Sequence, residues 1–441
     1  MASSRKRVVI IGGGVGGVAT AYALRHLMKN LDIVLVSDRD KFTFTPSLPH
    51  VAVLDKNPKG IQAELGKILP KRDIQFIHSK AEEVDPDTQK VKLANGQVLE
   101  YDYLVFATGA KLRWEPTVEI EEGAKIYSIC NLEHALETRE AVHDLIKNPG
   151  PVVVGSIPGT SCFGPLYEFA FMLDYRLRKH HIRHKVDMNI VTSEPYLGYA
   201  GLGGIGPSKR YLEDITMEKT IWTYPNAKVK RVGKNYVEFA LCDEDGNEKK
   251  TIRLESKLTM LMPYFEGPDV IKSAGDKVAN PKGFVKTNRC MYVPDYPNIY
   301  GVGVCVAIPP VQKTPIPTGT PKTGQMIEGM AVAVAHNIYN DIKNIPEKVA
   351  PKLPAICIAD FGDKGFFVLA DPVIPPRNKV LYKEGRWAHW MKEIFEKYFM
   401  FKVKAIKNIT PWFEELGLKI MFDIEYIEPC KECSGPTGSR C

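Results

Sequence analysis

Long hydrophobic runs are missing from this 441-residue chain: no segment holds the roughly 18 uninterrupted apolar residues that a membrane-crossing helix needs. A membrane-spanning helix bundle is thereby excluded. No export signal is readable either, because the short basic stretch 1–7 leads into Val8-Val9-Ile10-Ile11 and then into glycines, with no longer apolar core or small-residue cleavage site behind it. The expected compartment is the cytoplasmic side, where lasting disulfides are unusual. Glycine (35) and proline (32) are close to ordinary usage, which excludes collagen-like and low-complexity chains. A strong charge of one sign is also lacking. Lys+Arg 59 against Asp+Glu 52 gives +7, too mild to argue for nucleic acid. The nine cysteines are odd in number and lack the regular spacing of a secreted disulfide framework. With 44% hydrophobic residues at this length, two or three domains with their own cores are expected.

What is present begins at the amino terminus. The β-branched run 8–11 reads as a buried strand, Gly12-Gly13-Gly14-Val15-Gly16-Gly17 as a tight turn, and the Ala-rich stretch to about residue 29 as a helix. This is GxGxxG in its proper context: Gly12 permits the turn, Gly14 lets backbone approach a pyrophosphate, and Gly17 lets helix and strand pack closely. A second strand ends in Ser37-Asp38, about 20 residues on, where a polar or acidic side chain would meet ribose hydroxyls. Asp38 reads equally as a helix cap or turn carboxylate. Further along, the apolar strand in 101–110 is broken by Ala107-Thr108-Gly109. That string, with the three glycines, resembles the flavoprotein motif of the two-dinucleotide-domain disulfide reductase superfamily. The resemblance implies FAD in the first site, with Thr108 and Gly109 among its contacts.

A second strand and turn starts at Gly150-Pro151-Val152-Val153-Val154-Gly155, where a nicotinamide-binding relative would show another GxGxxG. This chain instead reads Ser156-Ile157-Pro158-Gly159-Thr160-Ser161-Cys162-Phe163-Gly164-Pro165. Pro158 removes an amide, the glycine spacing is lost, and Cys162 lies where a helix over 166–179 should begin. A helix amino terminus lowers a thiol pKa, so Cys162 is expected to be a reactive thiolate, against the alternative of an ordinary core cysteine.

The other cysteines are less distinctive alone. Cys357 lies in a short strand that ends in a Gly/Asp turn, Cys130 precedes a helix capped by Asn131, and Cys242 and Cys290 read as structural. Cys305 belongs to a glycine-rich strand, 301–305. Cys430, Cys433 and Cys441 offer three thiols without a nearby histidine, one ligand short of a closed metal site, so no metal is expected and the tail is read as flexible.

Taken together, Ser128-Ile129-Cys130, Ser161-Cys162-Phe163-Gly164-Pro165, Ser193-Glu194-Pro195-Tyr196, Ile308-Pro309-Pro310-Val311, residues 317–324 and Cys357-Ile358-Ala359-Asp360 resemble the sulfide:quinone oxidoreductases. The likeness runs from Val8 to about Lys419. It implies an α/β fold of two Rossmann-like domains: an FAD domain from 1–115 and 290–375, and a second domain over 116–289 carrying redox cysteines. It also implies that Cys162 and Cys357 carry the substrate sulfur and that Cys130 lies close to the flavin, where attachment is one outcome. Glu168, shortly after Cys162, is a proton-acceptor candidate whose alternative is a satisfied core or surface glutamate. The superfamily strand that ends in Gly-Asp by the ribityl chain here reads Gly301-Val302-Gly303-Val304, without the Asp, so Gly303 stands in by backbone. Lys322 is read either as a positive charge near the reduced flavin or as a solvated loop lysine.

From Arg377 the composition changes. Lys379, Lys383, Arg386, Lys392, Lys397, Lys402, Lys404 and Lys407 alternate with Trp387, Trp390, Met391, Ile394, Phe395, Tyr398, Phe399 and Phe401, and a second aromatic segment spans 411–426. Residues 376–427 therefore read as an amphipathic membrane-binding segment, with 428–441 as a tail. Packing on the protein's own core is the competing reading. The resemblance implies a quinone slot formed by Ile358, Phe395, Tyr398 and Phe399. Expected partners are sulfide, membrane quinone and a lipid surface, with no nucleic acid and a homo-oligomer left open. The expected location is peripheral, on the cytoplasmic membrane. Two neighbouring activities stay in view: a sulfide dehydrogenase flavin subunit donating to cytochrome c, and type II NADH:quinone oxidoreduction.

Overall fold

The computed structural model of the protein describes residues 5–405 and 410–430. Lys407, Cys433 and Cys441 lie outside the described residues.

Two apolar runs become the central strands of two parallel sheets. Arg7–Ile11 pairs in parallel with Asp32–Ser37 on one side and Tyr103–Phe106 on the other. Gln75–His78 extends one edge and Tyr296–Gly301, from far along the chain, the other. Val8, Val9 and Ile10 are fully buried, as expected for a parallel strand covered on both faces. In the second sheet the order is Ile221–Tyr224, Met188–Val191, Val152–Ser156, Leu258–Met262, all parallel. In both, the strand order reverses beside the first strand, which opens a crevice at the carboxyl ends of the strands.

A third layer is antiparallel: Ala355–Asp360, Gly365–Asp371 and Lys379–Gly385, in that order, with Cys357 on its first strand. Two helices follow, Trp387–Ala405 and Trp412–Phe422. No helix among the described residues is long and apolar enough to cross a membrane.

The Trp387–Ala405 helix corrects one expectation. Lys392 and Lys402, read from sequence as part of a basic lipid-facing set, are buried, together with Glu396, while Trp390, Met391, Ile394, Phe395 and Phe401 face outward. The reason is charge pairing: Lys392 Nζ donates to Glu168 Oε1 at 2.7 Å, and Lys402 Nζ donates to Glu328 Oε1 at 2.9 Å and Glu414 Oε2 at 2.9 Å. Removing one partner from such a buried set costs about 3–5 kcal/mol.

A second correction concerns the expected tail from residue 428. Ile427–Pro429 pairs with Val349–Pro351, and Cys430 is buried, its N–H donating to Lys348 O at 2.8 Å. An edge strand and its apolar contacts with Cys290 and Ala350 hold this stretch against the fold.

Candidate flavin and thiol site

The first glycine turn has the geometry of a dinucleotide cradle. Gly12 adopts φ +122°, and a Cβ there would lie 2.2 Å from Ala107 O; at Gly17 it would lie 1.8 Å from Gly12 O. At Gly14 a Cβ would meet nothing within 4 Å, so the amino terminus of the Val15–Leu27 helix is open to a phosphate group. Ser37 is buried at the end of the second strand, its Oγ accepting from Arg39 N–H at 3.1 Å, whereas Asp38 is exposed. Thr108 and Gly109, the latter at φ +70°, follow the neighbouring strand Tyr103–Phe106.

The opposite wall comes from 301–305 and from the Gly324–Ile342 helix. Gly303, at φ +83°, turns the chain beside the glycine loop, where Gly16 faces Val302. Cys305 is buried and donates to Phe106 O and Val302 O, both at 3.2 Å. Among the described residues the Gly324–Ile342 helix has no side-chain cap, and the buried Thr323 Oγ1 beside it has no hydrogen-bond partner. Lys322 is not a solvated loop lysine. It is partly buried with its ammonium 5.7 Å from the centre of the Phe284 ring, and loss of hydration pushes its pKa down to about 8, partly offset by Cys305. An uncapped helix, an orphaned hydroxyl and a partly desolvated ammonium all call for an electron-rich ligand, as the pyrimidine edge of a flavin is. These residues fit FAD.

Three thiols converge from three separate elements. Cys130 precedes the Leu132–Lys147 helix, whose Asn131 side chain accepts from His134 N–H at 2.7 Å as an N-cap. Cys162 precedes the Gly164–Lys179 helix, and Cys357 projects from the Ala355–Asp360 strand. Burial raises the Cys162 pKa to about 12, with Cys130, Cys357 and Glu168 adding to it. Burial likewise raises Cys130 and Cys357 to about 11. The expectation of a thiolate depressed by the helix terminus is therefore corrected: loss of hydration and neighbouring negative charge outweigh the helix field. Cys357 is exposed, whereas Cys130 and Cys162 are partly buried.

Glu168 is buried one turn into the cysteine-bearing helix. Its Oε1 accepts from Asp360 N–H at 2.8 Å and from Lys392 Nζ at 2.7 Å, while Oε2 takes no hydrogen bond among the described residues. The core-satisfied reading of Glu168 thus holds for one oxygen and leaves the other without a hydrogen bond among the described residues. Lys392 Nζ also donates to Ile358 O at 3.1 Å, next in chain to Cys357, and its charge pulls the Cys357 pKa down against burial.

Of the four aromatic-slot residues, Phe395 and Phe399 come together, with Phe44 at 6.0 and 4.9 Å between ring centres; Phe399 also stacks on Phe42 at 6.1 Å and is buried. Phe399 is therefore a floor and Phe395 the half-exposed edge. Tyr398 turns away, donating to Glu414 Oε2 at 2.5 Å. Ile358 packs in a neighbouring cluster with Ile356, Phe367 and Phe422.

The second nucleotide-type fold is sealed. Gly159 N–H donates to Pro317 O at 2.7 Å and Gly319 N–H to Thr160 O at 2.9 Å, so the proline-rich loop takes the turn's backbone groups. Glu194, near the end of the second strand where an acid would meet a ribose, points inward; Tyr167 and Thr192 hydroxyls donate to Oε2 at 2.6 and 2.9 Å, and Ala200 N–H to Oε1 at 2.7 Å.

Sequence reasoning missed Lys392 as a site residue and missed a buried Asp360 flanked by His50 and His389. A signal was available for the first: Lys392, Glu396, Phe399 and Val403 recur at steps of four, three and four, the inward stripe of a helix.

Comparison with known proteins agrees with this geometry. A family model described as pyridine nucleotide-disulphide oxidoreductase matches residues 6–161. The sulfide-quinone reductase of Aquifex aeolicus is 55% identical over 437 residues, covering 99% of this chain and 100% of that protein. The X-ray structure of the sulfide:quinone oxidoreductase from that bacterium superposes with a TM-score of 0.93 over 99% of this chain and 100% of its own. NDH2 of Plasmodium falciparum in complex with NADH, at 16% identity and a TM-score of 0.69 over 93% of this chain and 99% of that one, shows the shared fold alone. An FAD cradle, three convergent thiols and full-length identity at this level lead to one assignment: the chain belongs to the sulfide:quinone oxidoreductase family.

Proposed function

We infer that this protein oxidises sulfide and reduces quinone, and that Cys162 and Cys357 carry the sulfur with Cys130 beside them. The observation that carries this reading is the approach of Cys130 and Cys357 to Cys162, with Glu168 acting on both Cys162 and Cys357 and Lys392 on Cys357. Hydrosulfide attacks Cys162 Sγ of a Cys162–Cys357 disulfide; the new S–S bond makes a Cys162 persulfide, the Cys162–Cys357 bond breaks, and its electrons leave on Cys357. Lys392 favours that charge on Cys357, so the persulfide stays on Cys162. Glu168 Oε2 takes the proton of the attacking group. FAD, when bound, supplies the two-electron relay between sulfur and quinone. Over the cycle hydrosulfide loses one proton and two electrons, quinone gains two of each, and the sulfur remains as persulfide that grows to polysulfide.

The quinone reaches the protein from lipid. Trp390 is 68% exposed, and Trp412 and Ile420 are each 74% exposed; with Met391, Ile394, Phe401, Phe413, Leu416 and Met421 they form an apolar outer face over two helices. Such a face fits the headgroup boundary of a bilayer. Phe395, at its inner margin over Phe399, is the edge of the quinone slot, with Tyr398 and Ile358 as flanking positions.

An anaerobic assay tests the reading: sulfide bleaches the flavin, NADH does not, and decylubiquinone restores the colour. Bleaching by NADH but not by sulfide would overturn it. Truncation at Arg377 would break the buried Lys392 and Lys402 pairs, so the membrane face is better tested with Trp390→Ser, Trp412→Ser and Ile420→Ser together. Liposome binding should fall at least tenfold, and unchanged binding refutes the lipid contact.

A further inference from the structure

The charges on the Trp387–Ala405 helix are sorted by sign. Both of its acids are tied to the body of the protein: Glu396 is buried and accepts from Ser47 Oγ, and Lys56 Nζ bridges it at 2.8 Å and Glu393 at 2.6 Å. His389 turns to the buried Asp360 carboxylate, and Lys392 and Lys402 are buried against Glu168 and against Glu328 and Glu414. The charged side chains left exposed are cations, Lys397 and Lys404, joined by Arg386 directly before the helix.

These three share one side. Arg386, Lys397 and Lys404 are eleven and seven residues apart, close to three turns and two, and form a stripe about 27 Å long. Each borders the apolar outer face. Arg386 lies four residues before Trp390, Lys397 three after Ile394 and four before Phe401, and Lys404 three after Phe401, the spacings at which helix residues are surface neighbours. Phe395, the slot edge, lies with Met391 and Tyr398 on the opposite flank, where Tyr398 meets Phe413 of the second helix. Helix stability does not explain the stripe, because a cation at the amino end, where Arg386 stands, opposes the macrodipole. The Trp412–Phe422 helix does not share it either: Glu415 is exposed, and Lys419 pairs with Glu425 at 2.9 Å.

An apolar ridge of Trp390, Ile394 and Phe401 beside a row of cations matches a bilayer whose headgroups carry net negative charge. The ridge enters the acyl boundary, while the aliphatic stems of Arg386, Lys397 and Lys404 let their charged ends reach back to the headgroups. A soluble polyanion would leave the ridge in water. We propose that the Trp387–Ala405 helix recognises anionic lipid, and that Arg386, Lys397 and Lys404 are the residues that sense its charge. The Lys56 bridge keeps Glu393 from cancelling the stripe.

This proposal rests on the lipid contact inferred above, and the experiment separates the two. Flotation of the full-length protein is compared on vesicles of phosphatidylcholine alone and on vesicles in which about one third of the lipid is phosphatidylglycerol. The anionic vesicles should bind at least tenfold more tightly at low salt, and the advantage should shrink as salt shortens the reach of charge. The combined variant Arg386→Gln, Lys397→Gln, Lys404→Gln should lose most of that advantage, with binding to phosphatidylcholine and the melting temperature unchanged. A control with the same loss of net charge, Lys125→Gln, Lys147→Gln, Lys282→Gln, removes lysines exposed outside the two terminal helices and should keep the advantage. Equal wild-type affinity for the two vesicles, a stripe variant that keeps the advantage, or an equal loss in the control overturns the proposal. Wild-type binding to neither vesicle would instead count against the lipid contact itself.

Discussion

Two turns in this molecule share one topology and part in chemistry. After Arg7–Ile11 the chain makes a glycine turn whose Gly14 faces open space; after Val152–Ser156 it makes a turn whose Gly159 N–H and Thr160 carbonyl are already bonded to the proline-rich loop. Each leads into a helix amino terminus beside the point where strand order reverses. The first presents bare backbone to a phosphate, and the second presents Cys162. The fold thus supplies a crevice and a helix end twice, and the residues of each loop decide what it can hold.

The largest effect should come from the second turn. Cys162→Ser keeps a polar side chain of similar size but cannot carry a persulfide, so stopped-flow bleaching by sulfide should slow at least about 1000-fold, about 4 kcal/mol in barrier, with the bound-flavin spectrum retained. Cys357→Ser should behave alike. Near wild-type bleaching in either would remove the sulfur chemistry from this turn.

The next effect belongs to the first turn. A Cβ at Gly17 would lie 1.8 Å from Gly12 O, so Gly17→Ala must push helix and strand apart. FAD affinity, read by fluorescence titration, should weaken about 100-fold, near 3 kcal/mol. Its counterpart Gly164→Ala, where a Cβ would meet nothing within 4 Å, should leave the melting temperature unchanged. Equal losses of FAD from the two substitutions would mean that the turns are not specialised as described.

Lys322 sharpens the first site electrically. Burial holds its pKa near 8, and an electron-rich ligand would raise it again, so binding favours the charged form. FAD affinity should be full below about pH 8 and decline as pH rises through that value, toward the higher pKa of the complex. Lys322→Met should weaken binding about tenfold, about 1.4 kcal/mol, and flatten that decline. A variant that keeps the full pH response would assign it to another group.

Legibility in the sequence followed the range of the interactions. The glycine turn and the Leu132–Lys147 helix with its Asn131 cap were readable because capping and backbone strain act over a few residues. The three thiols were readable only through resemblance, since 227 positions separate Cys130 from Cys357 and no local pattern joins them. Lys392 and Lys402 were misread because a lysine among aromatics looks interfacial until its distant carboxylates, Glu168 and Glu328, are placed against it. The thiol pKa values were misjudged for the same reason: a helix terminus is visible in sequence, whereas burial and the approach of two other thiols are not.

The smallest effect on turnover should come from Glu194, which fills the ribose position of the sealed turn. Burial raises its pKa to about 7, against the hydrogen bonds from Tyr167, Ala200 and Thr192 that favour the anion. The folded protein therefore holds a proton that the unfolded chain releases above about pH 4.5. That contribution to stability is complete below pH 4.5 and is lost as pH rises toward 7, by at most about 3 kcal/mol. Glu194→Gln, neutral at every pH, should flatten the melting temperature across this window and leave sulfide-driven bleaching within about twofold. It should not admit NADH, because Gly159 and Thr160 remain bonded to the proline-rich loop whatever occupies position 194. Bleaching of the variant by NADH would show that a single inward carboxylate, and not the loop, separates the sealed turn from a nucleotide site.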